Sequence, residues 1–192
     1  MSKAELEQWE KRYATNTYSP RQKASPLVVT WLHRLSHGRA LEIACGHGRN
    51  AIFLAEHGYL VDAIDISRHA LLQAQHRATS LGLSVNWIQA DLDQIELPKL
   101  IYNVIVSSFY RIQNLAPFIV AALSPNGILL CEDHLLSPQP VDGQLGEKHR
   151  LQPGELPALF SSLIPLHYEE GLVREDERVN TLARLVAQKR GE

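Results

Sequence analysis

The chain has 192 residues, 45% of them hydrophobic and 21% charged, with a formal net charge of −2 at pH 7. That length suits one domain with a sizeable core, or two very small ones, and the charge excludes the broad basic field that holds a nucleic-acid backbone. No run is apolar enough to span a bilayer, and the opening MSKAELEQWEKRY has no signal-peptide core, so the expectation is a cytoplasmic protein engaging neither membrane nor nucleic acid.

The first predicted element is a helix from Ala4 to Ala14, with Leu6, Trp9 and Tyr13 on one face. Thr15 to Pro26 is polar and broken by two prolines, which predicts a loop. Leu27 to Leu35 predicts a second helix that stops near Gly38. A strand over Ala40–Cys45, a turn at Gly46–Gly48 and a helix over Asn50–His57 follow. Leu60–Asp65 predicts the second strand. Ser67 is placed to cap a helix running to Leu81, with Gly82 as its stop.

Three further strands are predicted at Val85–Gln89, Val104–Ser107 and Ile128–Glu132. Between the last two, Asn114–Leu123 reads as helix, with Pro117 tolerable only in its first turn. Pro125-Asn126-Gly127 predicts a tight turn. Pro138 to Pro153 reads as loop and Glu155 to Leu163 as a short helix. Leu166–Val173 and Thr181–Gln188 are strand-like, and REDER (Arg174 to Arg178) is too short to carry a helical crossover between them. Those two strands must be antiparallel. The alternation predicts an α/β, Rossmann-like three-layer sandwich: a seven-stranded, mostly parallel sheet ending in an antiparallel hairpin. Residues 1–36 would form amino-terminal helices capping a core of residues 39–192 in a single domain.

Cys45 and Cys131 have no zinc or redox spacing, and the nine histidines are scattered, so neither a disulfide nor a metal site is expected. The chemistry concentrates in LEIACGHGRNA. Gly46 and Gly48 between a strand and a helix allow a ligand close to backbone N–H groups. GHGRNA also fits the G-x-G-x-x-A form of the dinucleotide fingerprint, so an NAD-dependent oxidoreductase is a competing reading. Three features weigh against it. Glu42 precedes the turn, where a carboxylate suits a cationic ligand better than a pyrophosphate. Asp65 ends the second strand, where it can accept ribose hydroxyls, and Asp91 follows the third. Finally, 192 residues leave little room for a separate substrate domain.

On these residues the chain resembles the class I S-adenosylmethionine-dependent methyltransferases. LEIACGHGRN is similar to their first motif, AIDIS to the second, NWIQADLD to the third and YNVIVSSF to the fourth, and the terminal hairpin is their usual finish. Two positions depart: Ala44 stands where a glycine is common, and Asn103 where an acid often opens the fourth motif. WEKRY and Arg49-Asn50 resemble, more narrowly, the tellurite-resistance (TehB-type) and thiol-methylating branch. There an amino-terminal Trp-x-x-Arg-Tyr segment folds over the cofactor.

The resemblance implies S-adenosyl-L-methionine held by Arg12, Tyr13, Glu42, Ala44, Gly46, Gly48, Arg49, Asn50, Asp65, Ile66, Ser67, Asp91, Leu92 and Ser107. It implies a small-molecule methyl acceptor, a thiol or a tellurite- or selenite-type oxyanion among the choices, and a monomer or homodimer. No general base stands out in the sequence. Tyr110, Arg111, His134, His149, Arg150, Arg174 and Arg178 are candidates for the substrate pocket. A non-catalytic S-adenosylmethionine-binding module is the third reading.

Overall fold

A computed structural model describes residues 3–15, 21–136, 150–175 and 178–191. Seven strands form one sheet: β1 (Arg39–Ile43), β2 (Leu60–Asp65), β3 (Asn86–Gln89), β4 (Tyr102–Ser108), β5 (Leu123–His134), β6 (Ile164–Glu175) and β7 (Arg178–Gln188). Their order is β3-β2-β1-β4-β5-β7-β6. The first five pair in parallel. β7 runs antiparallel between β5 and β6, as the short REDER connection required.

The helices are α1 (Lys3–Ala14), α2 (Pro26–Trp31), α3 (Arg49–Glu56), α4 (Arg68–Ser80), α5 (Ala116–Ala122) and α6 (Glu155–Leu159). Successive strand residues point to opposite faces, and the core divides accordingly. Ala40, Val104 and Leu130 pack with Leu27 and Trp31 of α2, Leu54 of α3 and Leu71 of α4. Their neighbours Leu41, Ile105 and Leu129 pack on the other face with Ile119 of α5 and Leu156 of α6. The strand order reverses beside β1, between β2 and β4. In open α/β sheets ligands bind outside the carboxyl ends of the strands at such a reversal.

Several boundaries differ from the sequence reading, each for a local reason. Helix α2 ends at Trp31 and gives way to a 3₁₀ turn over Leu32–Arg34. Pro125-Asn126-Gly127 is not a free turn but lies inside β5. A register shift between Tyr102 and Val104 on the partner strand accommodates it, and Asn126 takes φ 61° there. Helix α6 stops at Leu159, and the hairpin strands extend into REDER from both sides. Residues 16–20 of the expected loop, most of Pro138 to Pro153 and the centre of REDER lie outside the described residues.

Candidate active site

The glycine turn sits at the carboxyl end of β1. Its first N–H, from Cys45, donates to the Ile64 carbonyl of β2 at 2.9 Å, and Gly48 N–H closes back on the Cys45 carbonyl at 2.9 Å. Ala44, Gly46 and Gly48 all occupy the left-handed region, with φ of 51°, 53° and 73°. Glycine adopts that region freely, whereas alanine bears a cost. Neither glycine has room for a side chain. A Cβ at Gly46 would fall 2.6 Å from the Tyr13 hydroxyl, and one at Gly48 2.4 Å from the Trp87 ring.

Two buried carboxylates shape this loop. Glu42 accepts Asn50 Nδ2–H at 2.9 Å on Oε1 and Ala51 N–H at 2.7 Å on Oε2. It thus satisfies an otherwise orphaned donor in the first turn of α3. Burial pushes its carboxyl up to about 7. Asp65 accepts Gly46 N–H at 2.7 Å on Oδ2 and Ser67 N–H at 2.9 Å on Oδ1, tying the glycine turn to the end of β2. Burial raises its carboxyl too. Ser67 caps α4, its hydroxyl accepting Ala70 N–H at 3.2 Å, and the Ile66 carbonyl accepts from Gln89 Nε2 at 3.2 Å. Asp91 turns its carboxylate to its own loop, accepting Asp93 N–H and Gln94 Nε2–H at 3.0 Å each. Leu92 is buried in the core on the α5 side.

Helix α1 lies across this end of the sheet. Tyr13 is buried and its carbonyl accepts from Gln73 Nε2 of α4 at 3.2 Å. The Arg12 guanidinium stacks 4.8 Å over the Trp9 ring. Glu10 accepts Arg68 N–H at the start of α4 and pairs with His69, and those two bonds pull its carboxyl below the usual range despite partial burial. The sequence reading missed Glu10, although it lies three residues before Tyr13 and so shares its helix face.

Beyond β4 and β5 the polar groups are of a different kind. Phe109 holds φ 60°, an uncommon conformation for a bulky residue, of a kind that clusters at functional sites. Its ring lies 4.9 Å from that of His134, with the guanidiniums of Arg21 and Arg49 at 4.8 and 5.6 Å from its centre. Glu132, buried beside it, accepts from Arg49 Nη2 at 3.3 Å, Ser108 Oγ at 3.1 Å and Arg184 Nε at 3.2 Å. Arg49 is therefore held by β5, and Asn50 is held between Glu42 and the Ser25 N–H, which its Oδ1 accepts at 2.8 Å.

Arg111 reaches Gln113 and Glu155 at 3.1 and 3.4 Å and the Arg150 carbonyl at 3.5 Å. Tyr110 and Arg150 are half-buried, and Arg174 is exposed far along the hairpin. His149 and the side chain of Arg178 lie outside the described residues. Asn103 works at the opposite end of the sheet, accepting Arg39 N–H at 3.0 Å. Among the described residues, four buried side-chain atoms lack a hydrogen-bond partner: His47 Nε2, Ser107 Oγ, Asp133 Oδ2 and Thr181 Oγ1. The sequence reading missed Glu132, Asp133 and Thr181.

The sheet order, the glycine turn braced by a second-strand acid and the terminal antiparallel hairpin together make a Rossmann-like α/β fold of the kind found in methyltransferases, and residues 40–127 match the family model of a methyltransferase domain. One solved structure of this fold, from Methanosarcina mazei, is that of an S-adenosylmethionine-dependent methyltransferase. TehB from Haemophilus influenzae superposes with a TM-score of 0.77 at 18% identity, over 94% of this chain and 67% of TehB. A methyltransferase from Methanosarcina mazei gives a TM-score of 0.70 at 16% identity, over 88% of this chain and 100% of its own. In sequence, the ubiquinone biosynthesis O-methyltransferase of Rickettsia prowazekii is 33% identical over 101 residues, 50% of this chain and 40% of that protein. The chain thus spans under half the length of that curated relative. No helix among the described residues is long and apolar enough to cross a membrane.

Proposed function

We propose that the chain transfers a methyl group from S-adenosylmethionine to a small-molecule acceptor. The observation that carries this is the brace at Asp65, which fixes the glycine turn to the end of β2 through Gly46 N–H at 2.7 Å and Ser67 N–H at 2.9 Å. A carboxylate offers about four lone-pair sites, and Asp65 also takes a backbone hydrogen bond from Ile66, so one is left for a ribose hydroxyl of a cofactor seated on the turn. Gly46 and Gly48 would admit its backbone contacts with Ala44, Ile66 and Leu92 around it. Tyr13 and Arg12 would close over it from α1, and Ser107 would face it from β4. His47 Nε2, buried and unpartnered on the turn, fits a site made for a polar ligand.

Glu42, Arg49, Asn50 and Ser67 would act mainly by holding the turn and the helix starts in place. Asp91 would approach the adenine from the third strand. The cofactor, when bound, supplies an activated methyl on a sulfonium; the protein supplies position and electrostatics. The amino-terminal resemblance favours a thiol or a tellurite- or selenite-type oxyanion as acceptor. The O-methyltransferase name of the curated relative favours a hydroxyl.

Calorimetry decides between methyltransferase and oxidoreductase: S-adenosylmethionine is expected to bind and NADH not to. Binding of NADH alone overturns the proposal. Binding of S-adenosylmethionine without turnover to S-adenosylhomocysteine on any of a panel of thiols, metalloid oxyanions and hydroxyl compounds supports a binding module instead.

A further inference from the structure

A groove of about 400 Å³ runs between α2 with its 3₁₀ turn on one side and the hairpin strands β6 and β7 on the other, a size that suits a small organic ligand. It opens on the α2 face of the sheet. His167 pairs with Val186 and Glu169 with Arg184 in the antiparallel register, and Val186 packs in the core on the α2 side. Residues paired across strands, or two apart along one, share a face, so His167, Glu169 and Arg184 make the hairpin wall. The helical wall is Leu27, Thr30 and Trp31, and the 3₁₀ turn adds His33 and Arg34. None of these residues belongs to the glycine turn or to the carboxylates that brace it.

The charges along the groove do not cancel. Arg184 donates from Nη1 to Glu169 and from Nε to Glu132, at 3.2 Å each, and Glu132 also accepts from Arg49 at 3.3 Å. Two guanidiniums thus meet two carboxylates, and His167 Nε2 lies 3.8 Å from the Glu169 carboxylate. Arg34 is left over. Its guanidinium stands 4.9 Å over the Trp31 ring, and among the described residues no carboxylate pairs with it. Stacking on the indole holds the planar donor fork in place.

That arrangement has a definite complement. A guanidinium fork matches a carboxylate through two parallel N–H···O bonds. One unmatched positive charge calls for one negative charge, and Glu169 on the facing wall repels a second. Beside Arg34 the lining turns apolar at Leu27 and Trp31. The Trp31 and His167 rings lie 6.1 Å apart at 44°, so two ring surfaces meet at the groove, and tilted and offset contacts of this kind favour an aromatic guest.

We propose that this groove is a second ligand site, separate from the glycine turn, and that it takes a small aromatic monocarboxylate. The carboxylate sits on Arg34, and the ring lies against Leu27, Trp31 and His167. Arg184 and Glu169 keep each other as partners when the ligand is bound. The chain of ion pairs from Glu169 through Arg184 and Glu132 to Arg49, the first residue of α3, is therefore undisturbed, and the two sites fill independently. This inference does not rest on the methyltransferase reading.

The test titrates the full chain calorimetrically with benzoate and follows the Trp31 indole N–H in proton–nitrogen correlation spectra. Benzoate is expected to saturate one site and to shift the Trp31 signal more than those of Trp9 and Trp87. Benzamide, which has the ring without the charge, should bind about tenfold more weakly, and so should benzoate to Arg34→Gln, as the loss of one charge-assisted hydrogen bond predicts. Acetate, without the ring, and phenyl phosphate, with its second charge, should both bind more weakly than benzoate. Saturation with S-adenosylhomocysteine should leave the benzoate affinity within about twofold. Arg34 is exposed, so its replacement leaves the core intact, and thermal unfolding confirms the fold of the variant. Absence of saturable benzoate binding, an affinity unchanged in Arg34→Gln, an unmoved Trp31 signal, tighter binding of phenyl phosphate, or displacement of benzoate by S-adenosylhomocysteine each overturns the proposal.

Discussion

Among the described residues, the two halves of the sheet's carboxyl edge differ in how many buried side-chain atoms lack a protein partner: one, His47 Nε2, at the glycine turn, against three at β4, β5 and β7. At β1 and β2 the acids brace the protein: Glu42 takes two donors from α3, and Asp65 takes backbone donors from the glycine turn, Ile66 and Ser67. At β4, β5 and β7, Ser107, Asp133 and Thr181 keep atoms with no protein partner. The first half holds a backbone shape, and a fixed cradle costs no reorganisation when a ligand binds.

The contrast can be broken most forcefully at its rigid side. Glu42→Ala leaves the Ala51 N–H buried without its acceptor and Asn50 Nδ2 with only Ser108 Oγ at 3.5 Å, and should cost on the order of 3 kcal/mol of stability in urea unfolding. Glu42→Gln, which still accepts from Ala51, should recover most of that. Gly48→Ala meets the Trp87 ring at 2.4 Å with φ 73°, and should cost roughly 2–3 kcal/mol through strain and overpacking.

The pH dependence of stability sharpens the contrast from the other side. Glu42 and Asp133 are raised to about 7 by burial. Between the unfolded carboxylate range and about pH 7 the folded chain keeps protons that the unfolded chain releases, so their contribution falls as pH rises. Burial lowers His47 and His134 to about 4, helped by Arg77 and Arg49 at His47 and by Arg21 and Arg150 at His134. There the unfolded chain gains protons first, so stability is lost as pH falls from about 6.5 toward 4. The two trends oppose each other in the native chain. Asp133→Asn removes one falling contribution, so the variant should gain stability relative to the native chain as pH rises from about 4 to 7, by an amount on the order of 2–4 kcal/mol in unfolding series. A difference independent of pH would refute the assignment of a buried, proton-holding Asp133.

The smallest effect belongs to Ala44, at φ 51°. Ala44→Gly relieves a left-handed alanine but loosens the unfolded chain, for a net gain of about 0.5 kcal/mol by thermal unfolding.

The glycine-turn half was legible in the sequence because its signals are local. A glycine turn between strand and helix, an acid at the end of the next strand and a serine cap are fixed by spacing alone. β2 matches the predicted Leu60–Asp65 to the residue. The arrangement at β4, β5 and β7 was not legible. Asp133 and Thr181 are 48 positions apart in number, and only the antiparallel register of β5 with β7, which pairs Asp133 with Ala183, brings them to one face; no short motif encodes it. The Pro125-Asn126-Gly127 segment misled for a related reason: its turn chemistry is real, but pairing with β4 keeps it in the strand. Tertiary pairing overrode local propensity there. Arg49 and Asn50 were noticed as a family pattern, yet their work, gripping Glu132 and Glu42, appears only once β5 and α3 are packed.

The division of labour between the two halves is tested most directly by the affinity of S-adenosylmethionine for two single variants measured side by side. Asp65→Asn weakens the brace on the glycine turn and the cradle for ribose, and should weaken S-adenosylmethionine binding by about tenfold or more. Asp133→Asn should leave that affinity within about twofold of the native value. The reverse pattern, with Asp133→Asn abolishing cofactor binding and Asp65→Asn sparing it, would contradict the account.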